Sequence, residues 1–194
     1  MFQQILSQED IERIHQTSMR ILDTVGVEFP LEEALAAFKR HSFRTDGSRV
    51  TITEDQLWEA LETVPASFTL HARNPERSVT IGPGAPIVFA PGYGAPFLVD
   101  AEGNKRVPTV EDYHTLVKLA HALPNQDVSG HLLAEPGDVP PETAPLHMVY
   151  AHVVHSDKPF IGSVDSRLAV RHTMEVVRIL VGESSADQPA TLGV

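Results

Sequence analysis

Apolar residues recur at helical spacing near the start of the chain and predict a first amphipathic helix. Ser7 stands three residues before Asp10, which is the arrangement of a capping box at the beginning of a helix. The apolar positions that follow share one helical face: Ile11, Ile14, Ile21, Leu22 and Val25. Gly26 comes directly after this run, where glycine commonly ends a helix.

Two further helices are predicted before Pro65. One covers residues 31–40, and the other is opened by a second capping-box pair, Thr53 and Gln56, and ended by the proline. In the first of these helices Leu31, Leu35 and Phe38 are expected to face inward, and the second runs through Leu57, Trp58, Leu61 and Val64. We expect the apolar stripes of all three helices to be mostly core.

After Pro65 the pattern changes to short segments in which apolar and polar residues alternate, as in β-strands. The predicted strands are 67–72, 78–81, 87–90 and 96–100. Gly82-Pro83-Gly84 predicts a turn, and residues 101–104 predict a hairpin turn. Asp100 precedes that hairpin turn, and we interpret it as an ordinary turn acid.

Strands and helices alternate from Thr109 onward. Thr109 caps a helix whose apolar residues are Leu116, Val117, Leu119 and Leu123. The later segments are a strand at 128–133, a helix at 145–155, a strand at 159–164 and a helix at 167–181. This alternation favours a parallel sheet joined by right-handed crossovers.

About three strand–helix units fit before Val194, whereas a (β/α)8 barrel takes about 250 residues. The final stretch, GESSADQPATLGV, has the pattern of a chain entering a fourth strand. We therefore predict an α/β fold: N-terminal helices plus the first part of a (β/α)8 TIM-type barrel, truncated. Residues 1–85 would form a helical and strand cover, and 86–194 the first barrel units. A small complete α+β domain is the alternative.

The composition argues against several functions. A formal net charge of −11 disfavours nucleic acid as a partner, because phosphate binding requires clustered Lys and Arg. The absence of cysteine excludes disulfides, thiolate nucleophiles and Cys-ligated zinc. No apolar run reaches the roughly 18 residues of a membrane-spanning helix, and no secretory-signal pattern is found. We expect a cytoplasmic protein with no membrane partner.

Four segments stand in order along the chain. They are LSQEDIERIHQTSMRILDTVGVEF, then SRVTITEDQLWEALETVPASFTLHARNPERSVTIG, then APGYGAPFLVDAEGNKRVPTVEDYHTLVKLAHALPNQD, and finally AEPGDVPP followed by a helix and KPFIGSV. In this order and spacing they resemble the trimethylamine methyltransferase family, called MttB-like. The resemblance covers almost the whole chain.

This resemblance implies a fold, an activity and a partner. Family members are (β/α)8 barrels of more than twice this length that move a methyl group from a methylated amine to the cobalt of a separate corrinoid protein. The corrinoid (cobalamin) cofactor is thus expected on the partner, and none is expected on this chain. Some members use pyrrolysine, at a position beyond Val194, and many homologues without it act on quaternary amines such as glycine betaine.

Two alternatives to this function stay open. A catalytically incomplete fragment would act as a small-molecule-binding or interaction module, and its open sheet edge favours a homo-oligomer. An unrelated barrel, such as a pterin-using methyltransferase, would carry acidic and Asn residues at strand ends. Asn125 and Asp127 are not obviously placed for that chemistry.

For the implied reaction, the site must hold a methylated cation with one methyl group aimed at cobalt, which is catalysis by positioning. Aromatic faces suit a cation that donates no hydrogen bonds, and barrel sites lie at the C-terminal ends of strands. Tyr93 lies between two glycines after an apolar strand. It would form a wall of the cation pocket, or it would simply cover a tight turn. His131 lies at the next strand end. It would donate a hydrogen bond to a substrate carboxylate, or it would be a core histidine with its hydrogen bonds satisfied inside the protein.

Carboxylates near the same strand ends complete the candidate substrate-binding set. Glu135, with Asp138 in the same loop, would attract a cation, or these two would cap the next helix or stay solvated. Ser163 and Asp165 end the following strand and would contribute to the site, or Asp165 would cap the helix after it. No metal site is expected, because His147, His152 and His155 lack an HExxH pattern and are interpreted as solvated or packing residues.

Overall fold

A computed structural model describes residues 5–92, 94–163, 165–182 and 191–193. These residues form a mixed α/β structure with six α-helices and several small sheets, which confirms the mixed α/β class. The chain divides into two compact units, Met1–Pro65 and Ala66–Val194. Within the described part of the chain, no helix has both the length and the apolar character needed to cross a bilayer.

The first unit contains three helices and a small antiparallel sheet. The helices are α1 (Gln8–Thr24), α2 (Glu32–Arg40) and α3 (Glu54–Leu61). The strands β1 (Val27–Glu28), β2 (Arg44–Asp46) and β3 (Arg49–Thr51) pair in the order β1-β3-β2. Both predicted capping boxes are present, at Ser7 and at Thr53. Gly26 follows α1 with a φ of +73°, as expected for a glycine that ends a helix.

The expectation that the apolar stripes of these helices are core is wrong. No residue of α1, α2 or α3 is fully buried, although Leu35 and Phe38, expected to face inward, are half-buried. The exposed fraction is 44–55% for Ile11, Ile14, Ile21, Val25, Trp58 and Leu61. Leu31, expected to face inward, is also exposed and precedes α2 as its N-cap. Helical spacing identifies an apolar face, but it carries no information about what covers that face.

Two β-hairpins lie in the first part of the second unit. Strands β4 (Phe68–Leu70) and β5 (Val79–Ile81) are antiparallel and are joined through a short 3-10 helix, Pro75–Arg77. Strands β6 (Leu98–Val99) and β7 (Lys105–Arg106) are also antiparallel. The carboxylate of Asp100 accepts hydrogen bonds from the backbone N–H groups of Glu102 and Asn104, at 3.1 and 2.8 Å. The predicted hairpin and the turn role of Asp100 are confirmed.

After these hairpins the described residues form three helices and two strands. The helices are α4 (Val110–Ala122), α5 (Ala144–His155) and α6 (Arg167–Val181). Strand β8 (Phe160–Gly162) precedes α6, and β9 (Thr191–Gly193) follows it and pairs with β8 in parallel. The predicted entry into a further strand near the end of the sequence is therefore confirmed.

The predicted regular strands at 87–90 and 128–133 are absent. The backbone nevertheless makes sheet-like hydrogen bonds there: the N–H of Val128 donates to the carbonyl of Phe89 at 3.2 Å, and that of Ser129 donates to Pro159 at 2.8 Å. The N–H of Ile161 donates to Gly130 at 3.0 Å. Gly130 has a φ of +92°, which no regular strand contains, so the pairing is interrupted there.

Two apolar clusters form the core of the second unit. One joins α4 and α5 and consists of Tyr113, Val117, Leu133, Met148 and Ala151. The other consists of Leu70 on β4, Val128 and Ile161. Val128 belongs to the second cluster, while the next residue, Ser129, contacts His152 on α5. Successive residues of this extended segment thus point to opposite sides, as in a sheet covered on both faces.

Candidate functional site

Three of the predicted site residues follow adjacent parallel segments. His131 comes after the segment 128–130, and Ser163 and Asp165 come after β8, to which that segment is hydrogen-bonded. Because the C-terminal ends of parallel neighbours meet at one edge, these residues lie at the same end of the sheet. His131 and Ser163 are buried, whereas Asp165 is exposed.

Ser163 orients the Asp165 carboxylate. The Ser163 hydroxyl donates a hydrogen bond to Oδ2 of Asp165. The backbone N–H of Ser163 donates to Oγ1 of Thr173 on α6 at 3.2 Å, which fixes the serine against the helix. The alternative role of Asp165 as a helix cap is wrong, because the Ser166 side chain accepts from the Ala169 N–H at 3.1 Å and is the N-cap. The Asp165 carboxylate therefore faces solvent at the strand end.

The His131 imidazole lies in a setting that favours its neutral form. Burial lowers its pKa, and this effect outweighs the opposing influence of Asp165 and of the Ile161 carbonyl. Its Nδ1 is buried and has no hydrogen-bond partner among the described residues. At neutral pH His131 is thus an uncharged imidazole within electrostatic range of the Asp165 carboxylate.

The structure does not bring Glu135 into this arrangement. The Glu135 side chain is exposed on the following loop, and its backbone N–H donates to the Ala95 carbonyl at 3.1 Å. Asp138 was alternatively expected to cap the helix that follows it. It caps the preceding helix instead: Oδ1 of Asp138 accepts a hydrogen bond at 2.9 Å from the N–H of Val110, the first residue of α4. Tyr93, the aromatic candidate, lies outside the described residues.

A buried polar network behind His131 was missed by the sequence reasoning. It joins Tyr113 on α4, Ser129, and His152 on α5, each at most 1% exposed. The Tyr113 hydroxyl donates to the His131 carbonyl and lies 2.9 Å from Nε2 of His152. Nδ1 of His152 lies 2.9 Å from Oγ of Ser129. Burial lowers the pKa of His152 to about 4, so this histidine is neutral at physiological pH.

Only weak sequence signals pointed to this network. A tyrosine and a histidine on the buried faces of predicted helices need polar partners, but helical spacing cannot say which. Of the three histidines tested as metal ligands, His152 is committed to this network and His155 contacts His114 at 2.8 Å. Among the described residues, no group of three or more His, Asp or Glu side chains could hold a metal ion.

Asp127, weighed for a pterin site, has a structural role. Its Oδ2 accepts a hydrogen bond from the Phe89 N–H at 2.8 Å, and its own backbone N–H donates to the Phe89 carbonyl at 2.9 Å. These two bonds hold the segment at Phe89 beside the segment 128–130. The carboxylate is therefore engaged with the backbone.

Comparison with known proteins decides the family. The family model described as trimethylamine methyltransferase (MTTB) matches residues 2–193. The chain belongs to the trimethylamine methyltransferase family. The resemblance inferred from the four ordered segments is thereby confirmed.

Curated relatives in the trimethylamine methyltransferase family act on several methylated amines, according to their names. The chain is 42% identical to glycine betaine methyltransferase of Desulfitobacterium hafniense (strain Y51) over 178 residues, 92% of this chain and 37% of that protein. It is 33% identical to proline betaine:corrinoid methyltransferase of Eubacterium limosum over 175 residues, 88% of this chain and 35% of that protein. The sequence thus spans little more than a third of the length of these relatives.

Proposed function

We propose that this chain is part of an enzyme that transfers a methyl group from a quaternary amine of the betaine type to a corrinoid protein. The observation that carries the proposal is the 42% identity to a glycine betaine methyltransferase over 92% of the chain. The name of the proline betaine relative specifies a corrinoid acceptor, which supports a corrinoid protein as the partner.

The chemistry requires little of the protein beyond binding and orientation. A C–N bond of the quaternary ammonium breaks, its electron pair stays on nitrogen, and a neutral tertiary amine leaves without a proton transfer. The cobalt(I) corrinoid on the partner supplies the nucleophile that accepts the methyl group. The protein must therefore hold the cation, aim one methyl group outward and exclude water.

The edge that carries His131, Ser163 and Asp165 fits these tasks. The exposed Asp165 carboxylate, held by Ser163, attracts a cation. The neutral imidazole of His131 can donate a hydrogen bond to a substrate carboxylate. We assign Tyr93 to the rim of the same site, as an aromatic wall.

We further propose that these residues stand at the mouth of a (β/α)8 barrel, in the cytoplasm. The segment at Phe89, the segment 128–130, β8 and β9 lie side by side in chain order, with α4, α5 and α6 as successive connections. That order supports residues 86–194 as the first barrel units.

The test uses the protein as its natural reading frame encodes it. Glycine betaine, trimethylamine and dimethylglycine are titrated by calorimetry, and methylation of a cobalt(I) corrinoid protein is followed by absorbance. We expect binding of a quaternary amine and methyl transfer. Absence of both would refute the proposal, and binding without transfer would favour a small-molecule-binding module instead.

Substitution of the carboxylate tests the proposed site. Asp165→Asn should weaken amine binding at least about fivefold, because it removes the charge that faces the cation. Asp46→Asn, at an exposed position of β2, is the matched control and should bind as the wild type does. Equal dissociation constants for the two variants would remove Asp165 from the site.

A further inference from the structure

The network behind His131 connects four separate parts of the second unit. Tyr113 belongs to α4, His152 to α5, Ser129 to the segment before His131, and Pro159, whose carbonyl lies 3.2 Å from Oγ of Ser129, directly precedes β8. The rings also pack on one another: His152 lies edge-on to Tyr113 and parallel to Phe160, with ring centroids 5.7 and 6.0 Å apart.

One placement of the Tyr113, His152 and Ser129 protons gives every donor of the network an acceptor. With the Tyr113 hydroxyl donating to the His131 carbonyl, Nε2 of His152 must carry the proton that points to Oη of Tyr113, 2.9 Å away. Nδ1 then accepts from the Ser129 hydroxyl at 2.9 Å. The Pro159 carbonyl accepts from the Ser129 N–H at 2.8 Å and also lies within reach of the Ser129 hydroxyl, at 3.2 Å. The Nε2–H tautomer of His152 agrees with these contacts and with the His131 carbonyl, which lies 3.2 Å from Nε2.

The acceptors of this network are backbone atoms next to the proposed site. The His131 carbonyl receives the Tyr113 hydroxyl and also the Leu133 N–H at 2.8 Å, so the peptide after His131 is fixed from two directions. Gly130, directly before His131, has a φ of +92° and leaves the regular strand path. The Gly130 carbonyl still accepts from the Ile161 N–H, but the backbone then leaves its pairing with β8, and side chains help to fix its position.

We infer that Tyr113, His152 and Ser129 are positioning residues that fix the backbone of residues 129–131 and thereby aim His131 at the bound amine. The inference rests on the proposed function, and it assigns these three side chains no contact with substrate. A fully satisfied buried network rigidifies its surroundings, whereas apolar residues of the same volume would fill the space without fixing the peptide.

Two variants at opposite ends of the network, compared with a matched control, test this inference. Tyr113→Phe and Ser129→Ala each remove one hydroxyl and keep the packing volume nearly unchanged. Tyr150→Phe removes a hydroxyl from an exposed tyrosine on α5 and serves as the control. Each protein, with its natural reading frame intact, is labelled with 15N-histidine, and the ring resonances of His131 are assigned by a His131→Gln variant.

Two readouts separate positioning from folding. We expect the His131 ring resonances to shift in Tyr113→Phe and in Ser129→Ala and to stay in place in Tyr150→Phe. We also expect KM for glycine betaine to rise about 3- to 10-fold in the two network variants, because each loses one buried hydrogen bond. The value of kcat should change less. Should one network variant fail to fold, the other carries the same test.

The outcomes distinguish the inference from the function on which it rests. His131 resonances and KM that match the wild type in a folded network variant would overturn the inference, because the network would then stabilise the fold alone. A wild-type protein that binds no methylated amine would overturn the proposed function, and with it the purpose assigned to His131, whatever the resonances do.

Discussion

Replacing Gly130 with alanine would cost stability in two ways, through its backbone conformation and through crowding of the new side chain. An alanine at this position would keep a positive φ, and its Cβ would lie 2.8 Å from Cδ2 of Leu133. Gly103 has a similar φ of +87°, but a Cβ added there would have no atom within 4 Å. We expect Gly103→Ala to cost about 1–2 kcal/mol of unfolding free energy, the cost of the backbone conformation, and Gly130→Ala to cost about 1–3 kcal/mol more through overpacking. Urea denaturation measures both, and equal costs would contradict the crowding at Gly130.

His152 makes the stability of the second unit dependent on pH. Its pKa is about 4 in the folded state and about 6.5 in an unfolded chain, so the unfolded state binds more protons between these values. Stability is therefore fully present above about pH 6.5 and is lost as the pH falls toward 4, by up to about 3 kcal/mol. His131, whose pKa burial also lowers, contributes in the same direction.

The contribution of His152 is measured by urea midpoints between pH 7.5 and 4.5. His152→Gln keeps a hydrogen-bonding side chain without an ionising ring, so its stability should fall less steeply with pH than that of the wild type. His147→Gln, at an exposed position of the same helix, is the control for substitution on α5. Parallel profiles for the wild type and His152→Gln would show that His152 is not the group responsible.

Residue types in the sequence were enough to select part of the proposed site. His131, Ser163 and Asp165 could be selected because each follows an apolar segment at the end where parallel strands present functional groups. Whether they meet depends on long-range pairing, and the Ser163 hydrogen bond to Asp165 is visible only in the structure. Tyr113 and His152 could not be paired from the sequence, because they are 39 residues apart and on different helices.

Helix α4 is completed at its C-terminal end by a side chain distant in sequence. The buried Lys158 donates from Nζ to the carbonyls of Ala120 and Leu123, both at 2.9 Å. Lys158→Met should cost about 1–3 kcal/mol, because two carbonyls near the helix end lose their partner. Lys118→Met, at an exposed position of α4, should change stability by less than about 0.5 kcal/mol.

Thermal unfolding and amide exchange at the end of α4 measure the effect of Lys158. Faster exchange in Lys158→Met and unchanged exchange in Lys118→Met would support the capping role. If the two variants lose the same stability, the contacts of the Lys158 ammonium contribute little to this helix.

Elements with local determinants were predicted well. The capping boxes at Ser7, Thr53 and Thr109 satisfy helix ends within three residues, and the Asp100 turn closes its own hairpin. The segments at 87–90 and 128–133 were predicted wrongly as regular strands. Their alternation is real, since Val128 and Ser129 face opposite sides, but the positive φ at Gly130 interrupts the ladder.

At the scale of the molecule, the two units differ in how their apolar residues are used. In the second unit, α4 and α5 bury Tyr113, Val117, Met148 and Ala151 in one cluster. In the first unit, the apolar faces of α1 and α3 remain exposed in the described structure. The same helical periodicity therefore accompanies a buried face in one unit and an exposed face in the other.

The sequence by itself determined the family, the mixed α/β class and the places where helices begin, because these depend on residue order and on contacts within a few residues. Tertiary structure decided which apolar faces are buried, where strand pairing breaks, and which polar side chains meet behind His131. Those outcomes depend on contacts between residues far apart in the chain, and residue spacing along one segment carries no information about the segment that packs against it.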